Sequence, residues 1–190
     1  MVSAAAFVDD VETDPVIIID GLTKNWRYPG WRIGWTLAPK SIVETIASAG
    51  SFLDGGANNP FQRPAMALLE PDVASQETIA IQKHFGYKRR FALERLHELG
   101  IGVDREPEGT FYIWANLSNL PAPLNDGFRF LEEGLKEKVI TVPGIFFDVN
   151  PDRRRSLRRY QNYCRIRFGP SVEELTVGLA AIERVIRKFS

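Results

Sequence analysis

The run Val16-Ile-Ile-Ile-Asp20 constrains this chain more than any other stretch. Its β-branched residues do not alternate with polar ones, so the pattern predicts a strand covered on both faces, as in a parallel sheet. Such a strand needs neighbours on both sides, and its end faces a crevice in which ligands bind. The segment Gly21–Arg32 carries two Gly, one Pro and three large aromatic residues, which predicts a loop before a second strand over Ile33–Ala38. A helix is expected from Ser41 to Leu53. The breaker Asp54-Gly-Gly-Ala-Asn-Asn-Pro60 then precedes a shorter helix through Leu69.

From Ser75 to Leu99, Ile81, Phe85, Ala92, Leu96 and Leu99 lie on one stripe of a long helix, bent at Gly86 and stopped by Gly100. The aromatic and β-branched stretch Gly109–Leu117 predicts a strand. A helix from Asp126 to Lys138 follows, then strands over Val139–Val142 and Tyr163–Phe168, with a basic, helical or loose insert over Asp152–Gln161. Ser171-Val-Glu-Glu174 is a capping box that opens the last helix, with Leu175, Leu179, Ile182 and Ile186 on its buried face. The expected fold class is α/β. Residues 1–86 read as the end of a mostly parallel-sheet large domain plus the start of a bridging helix, and residues 87–190 as a smaller α+β domain.

Charge narrows the function classes. The 24 Lys and Arg balance the 24 Asp and Glu, so no global field draws in nucleic acid or an acidic membrane. The run Arg153-Arg-Arg-Ser-Leu-Arg-Arg159 reads as a solvated surface insert. A single cysteine, Cys164, excludes an intrachain disulfide, and His84 and His97 are too far apart for an i,i+4 metal pair. A reducing, cytoplasmic setting is expected. No apolar run is long enough to span a bilayer.

Lys24 stands just past the end of the first strand, and Arg32 follows after a Pro29-Gly30 turn. A lysine at the crevice end of a buried strand is partly desolvated, which favours its neutral amine, and a neutral amine condenses with an aldehyde. An arginine offers a planar, bidentate partner to a phosphate dianion. Amine and phosphate anchor together are what pyridoxal 5'-phosphate requires. Spacing alone leaves a second reading open, with a solvated surface lysine and an arginine packed under Trp26 or Trp31.

The stretch Asp20-Gly-Leu-Thr-Lys24-Asn-Trp-Arg-Tyr-Pro-Gly30-Trp-Arg32-Ile-Gly34-Trp resembles the cofactor-lysine motif of class I/II aminotransferases, the fold-type-I pyridoxal-phosphate enzymes. The likeness continues in order along the chain. Asn58-Asn59-Pro60 is similar to the family's turn near the dimer partner's site, and Glu108–Trp114 to its Gly-Phe-aromatic strand. Val142-Pro-Gly-Ile-Phe146 resembles its Pro-Gly loop, and Cys164-Arg165-Ile-Arg167-Phe168 the strand whose arginine grips the substrate α-carboxylate. The resemblance implies that Lys24 binds the cofactor and acts as catalytic base, that Arg32 anchors its phosphate, and that Arg165 binds the substrate carboxylate. Arg167 occupies a place where the family has a small polar residue, and reads as an ordinary strand arginine. It also implies amino-acid and 2-oxo-acid substrates and a homodimer.

Two departures qualify the likeness. Gly21 stands where many members carry a phosphate-binding serine, so Thr23 or backbone N–H groups are expected to take that contact. The family's glycine-rich phosphate loop, its ring-stacking aromatic, and its Asp and Tyr lie before the lysine, whereas only 23 residues precede Lys24. The chain is therefore expected to hold the C-terminal half of such an enzyme and to be incomplete for catalysis alone. A lyase or synthase of the same fold, an inactive truncated protein and a dimerisation module are the alternatives.

Overall fold

The computed structural model describes residues 2–150 and 154–190. The chain divides into two compact units, Met1–Gln82 and Lys83–Ser190. In the first, β1 (Ile18–Gly21) and β2 (Gly34–Leu37) form a two-stranded sheet, followed by α1 (Lys40–Leu53), α2 (Asn59–Leu68) and the first turns of α3 (Pro71–Glu98). The helix α3 starts at a proline, whose missing N–H is no loss in a first turn, and runs unbroken through Gly86.

The strand expected to be covered on both faces is not covered within this chain. It pairs antiparallel with β2, Asp20 opposite Trp35, and Ile19 is 79% exposed. The two strands share one connecting loop, which makes them a hairpin, and no further strand of the described residues lies beside them. The core of this unit is correspondingly small: Leu22, Ile33 and Ala65, flanked by Trp26, Trp31, Trp35, Phe61 and Leu68. No residue of α1 is buried.

The second unit sets helices against one face of a three-stranded antiparallel sheet. Its strands are β3 (Tyr112–Asn116), β4 (Val142–Pro143) and β5 (Tyr163–Arg167), in the order β3-β5-β4. Alternation sends Ile113 and Ala115 of β3, and Cys164 and Ile166 of β5, into one buried cluster. There they meet Ala92 and Leu96 of α3, Phe130 of α4 (Gly127–Lys136) and Leu175, Leu179, Ile182 and Val185 of α5 (Val172–Arg187). The opposite face carries Tyr112, Trp114, Asn116, Tyr163, Arg165 and Arg167. Residues 139–141, expected as strand, are not. Val139 N–H is bonded to the Gly134 carbonyl at the end of α4, and Pro143 has no N–H to extend the ladder.

The chain is thus mixed α/β, but every described strand pair is antiparallel, where the sequence predicts the end of a mostly parallel sheet. Of the basic insert, residues 151–153 lie outside the described residues. Residues 154–161 form no helix, only a bend and a turn at 159–161, and Arg155 is tied to Asp148 at 2.6 Å.

Candidate active site

Thr23, Lys24 and Arg32 all lie on the loop joining β1 to β2. Four anchors fix that loop to its unit. Leu22 N–H bonds the Ile33 carbonyl at 3.0 Å, closing the base of the hairpin, and Leu22 itself is fully buried. Trp26 donates from Nε1 to the Leu68 carbonyl at 2.9 Å, while Trp31 stacks on Phe61 at 5.0 Å. Arg27 pairs with Glu77 on α3 at 2.5 Å. Trp26 and Trp31 are therefore packing anchors of the loop, and between Leu22 and Trp26 it exposes Lys24 and Asn25.

Gly21 and Gly34 face each other at the hairpin base. A Cβ on Gly21 would lie 2.8 Å from the Ile33 carbonyl oxygen, so no side chain fits at that crossing. Arg27 and Arg32 both adopt left-handed backbone, φ 61° and 55°. Such a conformation costs a non-glycine residue about 1–3 kcal/mol, and residues of this kind concentrate at functional sites. The Arg32 guanidinium folds back to donate to the Pro29 carbonyl at 2.9 Å.

Lys24 is exposed. The desolvation expected of it is not provided by this chain, because the strand before it is itself uncovered. Asp20, the nearest carboxylate along the chain, accepts from Gly21 N–H at 2.7 Å and from Asn25 Nδ2 at 2.9 and 3.1 Å. It is the staple of the loop. Sequence reading missed that role, although an Asp followed by Gly at a strand end is a turn signal that could have found it.

The donor set fits one end of pyridoxal phosphate. An amine, a hydroxyl and a guanidinium on one loop, beside an Asp20 carboxylate that bonds Gly21 and Asn25, suit an aldehyde and a phosphate dianion. A carboxylate to hold a ring nitrogen protonated is not among them.

Arg165 belongs to the second unit. It lies opposite Trp114 on β3 and Val142 on β4. Its guanidinium sits over the Tyr112 ring at 4.1 Å and over the Phe147 ring at 5.0 Å, and among the described residues it makes no ion pair. Aromatic faces hold a guanidinium by its charge while leaving its N–H edges for a planar anion. Gly144 makes this cradle possible. A Cβ there would collide with the carbonyl oxygens of Tyr160 and Tyr163, so only glycine lets the Gly144–Phe147 turn close against β5. Tyr112 and Phe147 were not singled out from sequence, because their partner is set by strand register between residues far apart.

A family model for aminotransferases of class I and II matches residues 1–182. The chain belongs to this family. It is 29% identical to a (5-formylfuran-3-yl)methyl phosphate transaminase of Methanocaldococcus jannaschii, over 98% of this chain and 45% of the relative. It is 34% identical to the glutamate-pyruvate aminotransferase of Escherichia coli, over 77% of this chain and 35% of the relative. A crystal structure from Methanococcus jannaschii, described as similar in its active site to kynurenine aminotransferases, superposes with a TM-score of 0.78 at 28% identity, over 97% of this chain and 45% of that one. The chain spans less than half the length of these relatives. Among the described residues no group of three or more His, Cys, Asp or Glu could hold a metal ion, and no helix is long and apolar enough to cross a membrane.

Proposed function

We propose that this chain contributes the lysine-bearing and carboxylate-binding part of a pyridoxal-phosphate-dependent aminotransferase acting between an amino acid and a 2-oxo acid. The family match across the loop that presents Thr23, Lys24 and Arg32 together supports this reading most strongly. The relatives' names, all aminotransferases or transaminases, favour transamination over a lyase or synthase reaction.

The cofactor, when bound, supplies an electron-withdrawing ring that acidifies the substrate α-carbon. Lys24 holds it through Nζ, and Arg32 and the Thr23 hydroxyl bind its phosphate as charge-assisted donors. With its amine free, Lys24 would be the base that takes the proton from the substrate Cα at Nζ. Arg165 binds the α-carboxylate with its guanidinium edge, and the Tyr112 and Phe147 faces limit its swing, so the Cα–H bond is presented in a fixed direction.

The covering of β1, the desolvation of Lys24 and the partner for the ring nitrogen belong, on this reading, to the family's other half. The complete enzyme acts as a homodimer, a reading supported by the family-like turn at Asn58-Asn59-Pro60. Its cytoplasmic setting is supported by the lone, buried Cys164. The test is titration of the full chain with pyridoxal phosphate. Wild type is expected to develop a visible absorbance band that Lys24→Ala lacks; identical spectra refute the assignment.

A further inference from the structure

We propose that Ser156 is a phosphorylation site for a protein kinase that selects basic segments, and that its phosphate releases the knot which Arg155 ties at Asp148. In the sequence the serine follows three consecutive arginines and precedes Leu157. Kinases read their acceptor segments by charge pattern, and an acidic groove suits guanidinium groups just before the acceptor hydroxyl. The fold presents that hydroxyl. Residues 154–158 lie in neither helix nor strand, Ser156 is exposed at a bend, and Leu157 is 70% exposed. A segment without ladder or helix bonds can lie extended in a groove, and an apolar side chain standing in water beside the acceptor suits a pocket that would bury it. In the transfer the Ser156 oxygen attacks the terminal phosphorus of a nucleoside triphosphate. The bond from that phosphorus to its bridging oxygen breaks, the diphosphate leaves, and the hydroxyl proton passes to the kinase's catalytic carboxylate.

Arg155 holds the loop shut. Its N–H donates to Asn150 Oδ1 at 3.1 Å, and its carbonyl accepts from Asn150 Nδ2 at 2.9 Å. Its guanidinium donates to Asp148 at 2.6 Å and to the Val149 carbonyl at 3.0 Å. Asp148 also accepts from Arg159 N–H at 3.1 Å, so one carboxylate closes both sides of the loop. A phosphoserine carries a charge of about −1.5 to −2 and strong acceptor oxygens, one residue away from Arg155. It outcompetes a singly charged carboxylate for the guanidinium. Asp148, whose side chain is only 10% exposed, then loses its Arg155 partner, and the loop opens to hydrate it. Asp148 directly follows the Gly144–Phe147 turn, and the Arg165 guanidinium lies over Phe147 at 5.0 Å, so the change reaches the candidate site.

Incubation of the full chain with ATP and the catalytic subunit of cyclic-AMP-dependent protein kinase, with the phosphate located by tandem mass spectrometry, tests the site. Wild type is expected to carry phosphate on Ser156, and Ser156→Ala to carry none. Arg154→Gln is expected to be modified about tenfold more slowly, as the loss of one charge-assisted contact with the kinase requires. Amide hydrogen exchange across residues 148–160 reads the loop. Phosphorylation is expected to quicken it about tenfold, and Arg155→Gln to quicken it without phosphate. Wild type left unmodified, phosphate carried by another residue instead, or Arg154→Gln modified at the wild-type rate overturns the site. Exchange unchanged by phosphate on Ser156, or by Arg155→Gln, overturns the release of the loop.

Discussion

Lys88 Nζ donates a hydrogen bond to the Gly169 carbonyl at 3.0 Å, tying α3 to the turn that leads from β5 into α5. Lys88 is only 5% exposed, and its ammonium also lies 5.3 Å from the centre of the Phe85 ring. The strand bearing Arg165 ends two residues before that carbonyl, so the contact fixes where β5 stops. Lys88→Met removes the carbonyl's charged partner. It is expected to lower the stability of the chain by about 1–3 kcal/mol. Thermal unfolding checks this, and an unchanged Tm contradicts it.

Gly144 gives a sharper test of the Arg165 cradle. In Gly144→Ala the added methyl meets backbone carbonyls of Tyr160 and Tyr163, which have no side-chain freedom to yield. A loss of about 1–3 kcal/mol is expected from overpacking. The near-ultraviolet circular dichroism of Trp114, which packs edge-on to Phe147 at 5.4 Å, should change with it. Wild-type stability in this variant would show that the turn has room.

Cys164 predicts a pH dependence. Burial pushes its thiol up to about 12, against about 8.5 in an unfolded chain. The folded protein thus holds a proton that the unfolded chain releases. The stability linked to it is complete below about pH 8.5 and is lost as the pH rises towards about 12. Denaturant unfolding of wild type and Cys164→Ala should therefore diverge in slope above about pH 8.5, the wild type falling faster. Parallel curves contradict the assignment. Labelling of the native thiol at pH 8 should track unfolding.

Features encoded within a few residues were legible in the sequence. The Ser171 hydroxyl accepts from Glu174 N–H at 3.2 Å while Glu174 accepts from Ser171 N–H at 3.0 Å, the reciprocal pair that the capping box predicts. Gly100 stops α3 at φ 75°. Features that depend on distant partners were not legible. The uniform apolarity of Val16–Ile19 describes a strand needing cover, but whether this chain supplies the cover is not written in the strand. The place of Tyr112 beneath Arg165 follows from a pairing between residues some fifty positions apart, and no local pattern encodes it.

The candidate site divides in the same way. The order Thr23, Lys24, Pro29-Gly30, Arg32 was readable because one loop carries all of it. The chemical environment of Lys24 was not, since burial of its amine depends on what lies over β1.

Borohydride reduction of the full chain after equilibration with pyridoxal phosphate, followed by peptide mapping, tests the central claim most directly. The account predicts a single reduced cofactor adduct on Lys24, absent from Lys24→Ala. An adduct on another lysine, or equal labelling of the variant, would contradict it.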